Sequence, residues 1–132
     1  MESVKAFEQT ITVQQHDIDG LNHVNNVVYL QWVQDVATAH WQSLASAEIQ
    51  KKYSWVVLKH EIEYFSPALM NDVLIVKTWV EKSEGVRSER HVEFYNQKTN
   101  KLLVRAKTNW CLLDANTMRP RRIEEDILQL FH

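Results

Sequence analysis

The sequence has little of several features, and each shortage excludes a class of protein. A single cysteine, Cys111, cannot form an intrachain disulfide framework, which indicates a reduced, cytoplasmic protein. No run approaches the roughly 20 apolar residues that span a bilayer, and the N-terminus lacks the basic start and apolar run of a signal peptide. The formal net charge of −2 offers no broad positive field to nucleic acid. We therefore expect neither a membrane nor a nucleic-acid partner.

Glycine is also scarce, since only Gly20 and Gly85 occur in the 132 residues. Where glycine is rare, each one is expected to mark backbone that other residues tolerate poorly. Gly85 lies between two strand-like runs and predicts a hairpin turn. Gly20 lies in a polar segment, residues 16–25, that is the most unusual part of the chain. The length and the 45% hydrophobic content fit one globular domain, which we place at residues 1–132.

Periodicity predicts five strands, one long helix and one short helix. Alternation of apolar and polar residues predicts strands at 7–15, 55–65, 72–82, 86–95 and 102–113, and a short amphipathic helix is expected at 123–131. The long helix follows Asn25 or Asn26, either of which is a natural N-cap. Its apolar stripe consists of Tyr29, Trp32, Val33, Val36, Ala37 and Leu44.

These elements predict an α+β fold in which one twisted antiparallel sheet wraps around one long central helix. Such a layer leaves a sheet edge and a flank uncovered, so we expect a homodimer or homotetramer. Trp55, Trp79 and Trp110 suggest an aromatic-rich interior.

The segment before the long helix carries the groups needed for chemistry. Within eleven residues it contains the carboxylates Asp17 and Asp19, two imidazoles including His23, and three asparagine amides. A helix N-terminus offers unpaired backbone N–H groups and the positive end of the helix dipole, which can stabilise an oxyanion. A nearby carboxylate can attack an acyl carbonyl or activate the water that attacks. This constellation fits acyl transfer to water.

The same segment resembles the 4-hydroxybenzoyl-CoA thioesterase-like branch of the hotdog superfamily, and also the plant acyl-carrier-protein thioesterases. The resemblance rests on Asp17-x-Asp19, on His-Val-Asn-Asn at 23–26, and on Tyr29 and Trp32. It implies a hotdog fold, an acyl-CoA or acyl-carrier-protein thioester as substrate, and active sites at a dimer interface. It also implies that Asp19 is catalytic, as general base or nucleophile, and both roles stay open. No metal or other cofactor is needed.

The other candidate catalytic groups surround Asp19. Backbone N–H groups near Asn26 and Val27 are expected to polarise the thioester carbonyl. His23 could touch substrate, orient Asp19, or be an ordinary loop histidine. Asp17 is expected to bond loop amides in an Asx-turn.

Five residues are candidates for substrate binding. Asn22 stands where bacterial relatives usually have glycine, and asparagine tolerates a positive φ; Gly20 would relieve the same bend. Asn25 and Tyr29 belong to the motif, although capping is the commoner role for Asn25. Arg87 and Arg90 could grip the phosphates of CoA at the subunit edge, although solvated surface charge is the commoner role for such residues.

Two other functions stay open. A hotdog hydratase or dehydratase could pair Asp19 with His23 to move protons on an acyl chain, and a non-catalytic acyl-binding module could keep the same fold. A calcium loop is excluded because no Glu occupies its twelfth position, and no paired zinc spacing occurs. The absence of a Gly-x-Ser-x-Gly elbow argues against a serine hydrolase, and Cys111 is a weak nucleophile candidate. Asp35, on the long helix, is expected to be a polar edge residue.

Overall fold

The computed structural model describes residues 4–132, so the first three residues of the predicted domain lie outside it. The elements are β1 (Phe7–Thr12), α1 (Asn26–Leu44), α2 (Ala47–Lys52), β2 (Tyr53–Tyr64), β3 (Val73–Glu84), β4 (Arg87–Asn96), β5 (Leu102–Asp114) and α3 (Glu125–Phe131). All five predicted strands and both predicted helices occur. The strand β1 ends earlier than expected because a one-turn 3₁₀-helix follows at Gln15–Asp17. The short helix α2 was not predicted.

The five strands form one antiparallel sheet in the order β1-β3-β4-β5-β2. A single row of paired residues crosses it from edge to edge, running Phe7, Thr78, Val92, Ala106 and Ile62. The strands β1 and β2 are the two edges, and each therefore has one side without a strand partner in the described chain.

One face of the sheet is covered by α1. Residues 73–80 of β3 and 87–94 of β4 alternate strictly between buried and less buried positions, as the sequence alternation predicts. Their inward side chains pack with the stripe of α1 in one core, where Tyr29 meets Phe94 edge-on at 5.1 Å. The predicted α+β hotdog arrangement, a sheet around one long central helix, is confirmed.

A second, smaller cluster closes the far end of α1. Ile127 and Phe131 of α3 are buried against Tyr53, Val80 and Leu112 from three different strands. The helix α3 thus shields the end of the inner face that α1 leaves uncovered. Within residues 4–132, no helix is long and apolar enough to cross a membrane.

Candidate active site

The segment between β1 and α1 folds into a small closed loop. Its two sides are joined by a bridge between Ile18 and Val24 and by a hydrogen bond from the Asp19 N–H to the His23 carbonyl oxygen at 2.8 Å. The turn closes where the Asn22 N–H donates to the Asp19 carbonyl oxygen at 3.1 Å. A further bond from the Val24 N–H to the Ala68 carbonyl oxygen anchors the loop to the segment before β3. The loop is therefore held by backbone bonds on both sides of Asp19.

The sharp bend in this loop is made by Asn22, whose φ is +63°. Asparagine adopts this left-handed conformation more readily than most residues, so the expectation for Asn22 is confirmed. The expectation that Gly20 relieves the same bend is wrong, because Gly20 does not have a positive φ, whereas Gly85 does. Gly20 also leaves open space around the position of a Cβ. The loop shape thus depends on the asparagine.

Asp19 is held by one of its two carboxylate oxygens. Its Oδ1 accepts the backbone N–H of Leu21 at 2.8 Å and that of His23 at 3.2 Å. Its Oδ2 accepts no hydrogen bond from any residue in 4–132, and the side chain is partly exposed. One oxygen therefore fixes the orientation of the carboxylate while the other is left to act on a water or a substrate.

Asp17 has the structural role that was predicted, although its side chain does not form the predicted Asx-turn. It is buried, and its Oδ2 accepts the backbone N–H of Gln14 at 2.8 Å, three residues earlier rather than in an Asx-turn. Its carbonyl oxygen accepts the N–H of Asn25 at 2.9 Å, which ties the 3₁₀ turn to the start of α1. The two aspartates of the motif are thus distinct: one is buried structure, and the other is partly exposed.

The start of α1 distinguishes the two amides that sequence analysis proposed as donors. Asn25 is the N-cap, and its Oδ1 accepts the Val27 N–H at 3.1 Å. The Asn25 carbonyl oxygen accepts the Val28 N–H at 2.9 Å. The Asn26 N–H has no hydrogen-bond partner in the described chain. Of the two predicted donors, therefore, the amide of Asn26 is unpaired and that of Val27 is already used by the cap.

The loop and the helix start bring most of the candidate residues together. Asn22 and Asn25 are exposed, and His23 is half-buried with its backbone bridged to Leu69. Tyr29 differs, because it is 2% exposed and its hydroxyl has no hydrogen-bond partner. Burial raises the pKa of Tyr29, so its phenol stays neutral. Tyr29 lies in the core beneath the helix start.

The two arginines lie away from the loop and in different surroundings. Arg87 is exposed at the first position of β4. Arg90 is 4% exposed and lies on the inner face, where its Nη1 donates to Thr78 Oγ1 at 2.9 Å and lies 2.9 Å from His40 Nδ1. Burial lowers the pKa of Arg90 to about 10, which leaves it charged at neutral pH. The prediction that Arg90 lies at the subunit edge is wrong, and it is not solvated surface charge either.

The buried pair of Arg90 and His40 was missed although the sequence contains its signal. Arg90 lies two residues before Val92 in a strand of strict alternation, so it shares the inward face. His40 follows Val36 and Ala37 by four and three residues on the stripe of α1.

The three tryptophans expected in the interior divide between the two sides of the sheet. Trp55 and Trp110 line a cavity inside the fold. Trp79 instead stacks on His91 of the neighbouring strand, with ring centroids 5.5 Å apart. The expectation of an interior position is wrong for Trp79, because it lies out of phase with the buried residues of β3.

We predict that His40 makes folding sensitive to acid. Burial first, and the charge of Arg90 second, lower the pKa of His40 from 6.5 to about 4. The unfolded chain therefore binds a proton between pH 6.5 and 4 that the folded chain refuses, so stability falls as pH decreases across this range. The loss attributable to His40 is on the order of 3 kcal/mol.

Urea unfolding at several pH values checks this, with His40→Gln as the comparison because glutamine does not titrate. The variant should lose less stability than the parent between pH 6.5 and 4. Equal losses in the two proteins would contradict the assignment to His40.

A twisted antiparallel sheet around one helix, with a held carboxylate in the loop at the helix start, defines a hotdog-fold chain with a candidate hydrolytic site. The sequence model of the acyl-ACP thioesterase N-terminal domain matches residues 4–131. The chain belongs to this family.

Individual relatives share only low sequence identity with this chain. The chain is 26% identical over 132 residues to the chloroplastic palmitoyl-acyl carrier protein thioesterase of Gossypium hirsutum, a match that covers 92% of this chain and 32% of that protein. It thus spans about a third of that curated relative.

Solved structures share the fold at low identity. A 1,4-dihydroxy-2-naphthoyl-CoA thioesterase from Synechocystis superposes with a TM-score of 0.81 at 18% identity, covering 96% of this chain and 95% of that one. A Staphylococcus aureus protein solved in complex with CoA gives a TM-score of 0.83 at 18% identity, covering 98% of this chain and 84% of that one.

Proposed function

We propose that this chain hydrolyses the thioester of an acyl-CoA or acyl carrier protein, releasing a carboxylic acid and a free thiol. The observation that carries the proposal is the state of Asp19, whose carboxylate is fixed through Oδ1 and unbonded at Oδ2 in the loop that leads into α1. The family and the names of the relatives, which act on acyl-ACP and acyl-CoA thioesters, support the same chemistry.

The start of α1 supplies the second element of the proposal. The unpaired N–H of Asn26, at the positive end of a helix of 19 residues, would donate to the thioester carbonyl oxygen as negative charge develops there. The amide of Val27 would contribute only if the cap from Asn25 opened. We therefore assign the principal oxyanion donor to Asn26.

Asp19 then has two possible roles. As a general base, Oδ2 takes a proton from water as the oxygen of that water adds to the carbonyl carbon. The C–S bond then breaks, and the leaving thiolate takes this proton from Asp19, which regenerates the carboxylate. As a nucleophile, Oδ2 adds to the carbonyl carbon itself, the thiolate leaves, and water hydrolyses the resulting anhydride. In both routes His23 helps to orient Asp19, because its backbone N–H binds Oδ1.

Substrate contacts are assigned to exposed groups, two in the loop and helix start and one farther away on β4. Asn22, whose N–H binds the Asp19 carbonyl oxygen, and the N-cap Asn25 are both exposed and would contact the pantetheine arm or the acyl carbonyl. Arg87 is exposed and would attract the CoA phosphates through its positive charge. We assign Tyr29 to supporting the helix start, since it is buried.

We further propose that the chain assembles as a homodimer or homotetramer with the site near a subunit boundary. Leu21 in the loop is 74% exposed and Val27 at the helix start is 69% exposed, so apolar surface surrounds the candidate site. The edge strand β2 also exposes Val56 and Leu58. Exposed apolar side chains beside an open sheet edge are typical of surfaces that another chain covers.

Light scattering checks the assembly. We expect a mass of at least twice the 15.6 kDa of one chain at micromolar concentration. A mass equal to one chain under these conditions would contradict the proposed assembly.

The proposed activity is tested by thiol release from a panel of acyl-CoA and acyl-ACP thioesters that vary in chain length and aromaticity. Release of thiol above the uncatalysed rate supports the proposal and identifies the substrate. Addition of water to an enoyl-CoA with the thioester intact would indicate a hydratase instead. Saturable binding with neither reaction would indicate an acyl-binding module.

A further inference from the structure

A cavity of about 210 Å³ lies inside the fold, away from the Asp19 loop. Five aromatic side chains and one cation contribute to its lining: Trp41, Tyr53, Trp55, Arg90, Trp110 and Phe131. The remaining lining residues are small or aliphatic, and three of them, Thr38, Ser54 and Ser88, carry hydroxyl groups. An apolar cavity of roughly 150 Å³ in a protein core can hold benzene, so this one can hold a substituted ring or a short branched chain. Thr38, which is exposed, also lines it, so the cavity reaches the surface.

The cation in this cavity lacks a counter-charge. Both hydrogen-bond partners of Arg90, Thr78 and His40, are uncharged at neutral pH, and both are engaged by Nη1. Within residues 4–132, Arg90 forms no ion pair, and its Nε and Nη2 donate no hydrogen bond. A buried charge is unfavourable unless it is paired and hydrogen-bonded. The guanidinium therefore presents donors and a positive charge that an anion would satisfy.

A second unpaired donor belongs to a side chain that lines the same cavity. Trp110 Nε1 is buried and has no hydrogen-bond partner in the described chain. An indole N–H can only donate, so it too requires an acceptor oxygen. The carboxylate of Asp126, whose Oδ2 accepts the Tyr53 hydroxyl at 3.0 Å, bonds to neither group: its Oδ1 is buried without a partner in the described chain, and it forms no ion pair with Arg90.

We propose that this cavity binds an apolar or aromatic carboxylic acid, with the carboxylate on Arg90 and the apolar body among the tryptophans. A carboxylate fits because it accepts several hydrogen bonds at once and carries the missing negative charge. Two sources have this chemistry: the free acid released by thioester hydrolysis, and the far-end carboxylate of a dicarboxylic monothioester. The binding site itself does not depend on Asp19 or on the proposed hydrolysis.

Tryptophan fluorescence can test the binding directly, since three of the five tryptophans, Trp41, Trp55 and Trp110, line the cavity. The probes are cyclohexanecarboxylate and its uncharged amide, which do not absorb where tryptophan is excited. We expect saturable quenching or a spectral shift, with the carboxylate bound about tenfold or more tightly than the amide. Equal affinity for the two probes, or no saturable change with either, would overturn the proposal.

Variants assign the preference to Arg90. Arg90→Met should abolish the preference for the carboxylate, and Arg90→Lys should retain part of it because the charge remains. Arg119→Met is the matched control, since Arg119 is exposed and does not line the cavity, and it should bind like the parent. If Arg90→Met does not fold, Trp110→Phe should still weaken carboxylate binding by removing one donor. If folded Arg90→Met still prefers the carboxylate to the amide as the parent does, the assignment is overturned. If Arg90→Met does not fold, an unchanged preference in Trp110→Phe overturns it instead.

Two further arms separate the sources of the ligand. If the ligand is the far-end carboxylate of a substrate, an ω-carboxyacyl-CoA should be hydrolysed faster than the plain acyl-CoA of equal length. Arg90→Met should lose this difference in rate. If the ligand is the product of hydrolysis, the free acid should inhibit thiol release by the parent. Arg90→Met should not be inhibited. Asp19→Asn should bind cyclohexanecarboxylate as the parent does, so a failure of the proposed catalysis would be distinguished from a failure of this site.

Discussion

Replacing Asp19 with asparagine is expected to lower kcat for thioester hydrolysis about 10²-fold or more while the fold is kept. The asparagine Oδ1 can still accept the N–H groups of Leu21 and His23, so the loop should retain its shape. What is lost is Oδ2, because an amide nitrogen can neither take a proton from water nor attack a carbonyl. Thiol release by the purified variant, with circular dichroism to confirm folding, measures the effect.

Asp35→Asn is the matched control for this experiment. Asp35 is an exposed carboxylate of α1 that accepts a hydrogen bond from Gln31 Nε2 at 2.8 Å, which agrees with the expected role of a polar helix-edge residue. The same chemical change there should leave kcat nearly unaltered. Near-normal turnover by Asp19→Asn, or an equal loss in Asp35→Asn, would remove Asp19 from the proposed mechanism.

Replacing Asn26 with proline is expected to lower kcat about 10²- to 10³-fold in a protein that still folds. Asn26 is the first residue of α1, the position where proline is best tolerated. The preceding Asn25 has φ −64° and ψ 135°, the extended conformation that a residue before proline requires. The change therefore deletes one unpaired N–H with little strain. Steady-state kinetics should show a larger effect on kcat than on KM.

Two variants separate the amide from the side chain. Asn26→Ala keeps the N–H and should retain most of the activity. Val27→Pro removes the N–H that Asn25 Oδ1 accepts, so it should cost about 1 kcal/mol of stability as a lost cap. If folded Asn26→Pro hydrolyses thioesters at the parent rate, the helix start is not the oxyanion hole, and a side chain such as His23 must polarise the carbonyl.

Much of the fold could be predicted because its elements are long enough to show a period. The inward alternation of β3 and β4 and the stripe of α1 are legible in the sequence and match the observed burial. The helix α2 could not be predicted this way. It contains only six residues, fewer than two turns, and none of them is buried.

The candidate site was predictable in composition and less so in detail. The loop, the positive φ of Asn22 and the capping asparagine follow from residue type. Which amide is unpaired at the helix start depends on where the Asn25 side chain points, and sequence does not determine that. The two aspartates lie only two residues apart, yet Asp17 is buried and Asp19 is partly exposed. This difference depends on the 3₁₀ turn at Gln15–Asp17, which the sequence pattern did not predict.

Arg90 shows why charged residues mislead sequence analysis. Arginine is mostly exposed in proteins, so a surface role was the natural expectation. The position within β4 contradicts that expectation, since alternation places Arg90 on the face of Val92 and Phe94. The strand register determines which face a side chain occupies, so a charged residue in an inward register indicates an unusual group in the core.

The most direct test of the account is product analysis after incubation of the purified chain with its acyl thioester in H₂¹⁸O. Hydrolysis predicts equal amounts of free thiol and carboxylic acid, with one ¹⁸O atom in the acid over many turnovers, since water ends in the acid whether Asp19 is base or nucleophile. Two results would contradict hydrolysis. In the first, every thioester of the panel stays intact even with stoichiometric protein. In the second, ¹⁸O enters the acyl chain while the C–S bond stays unbroken.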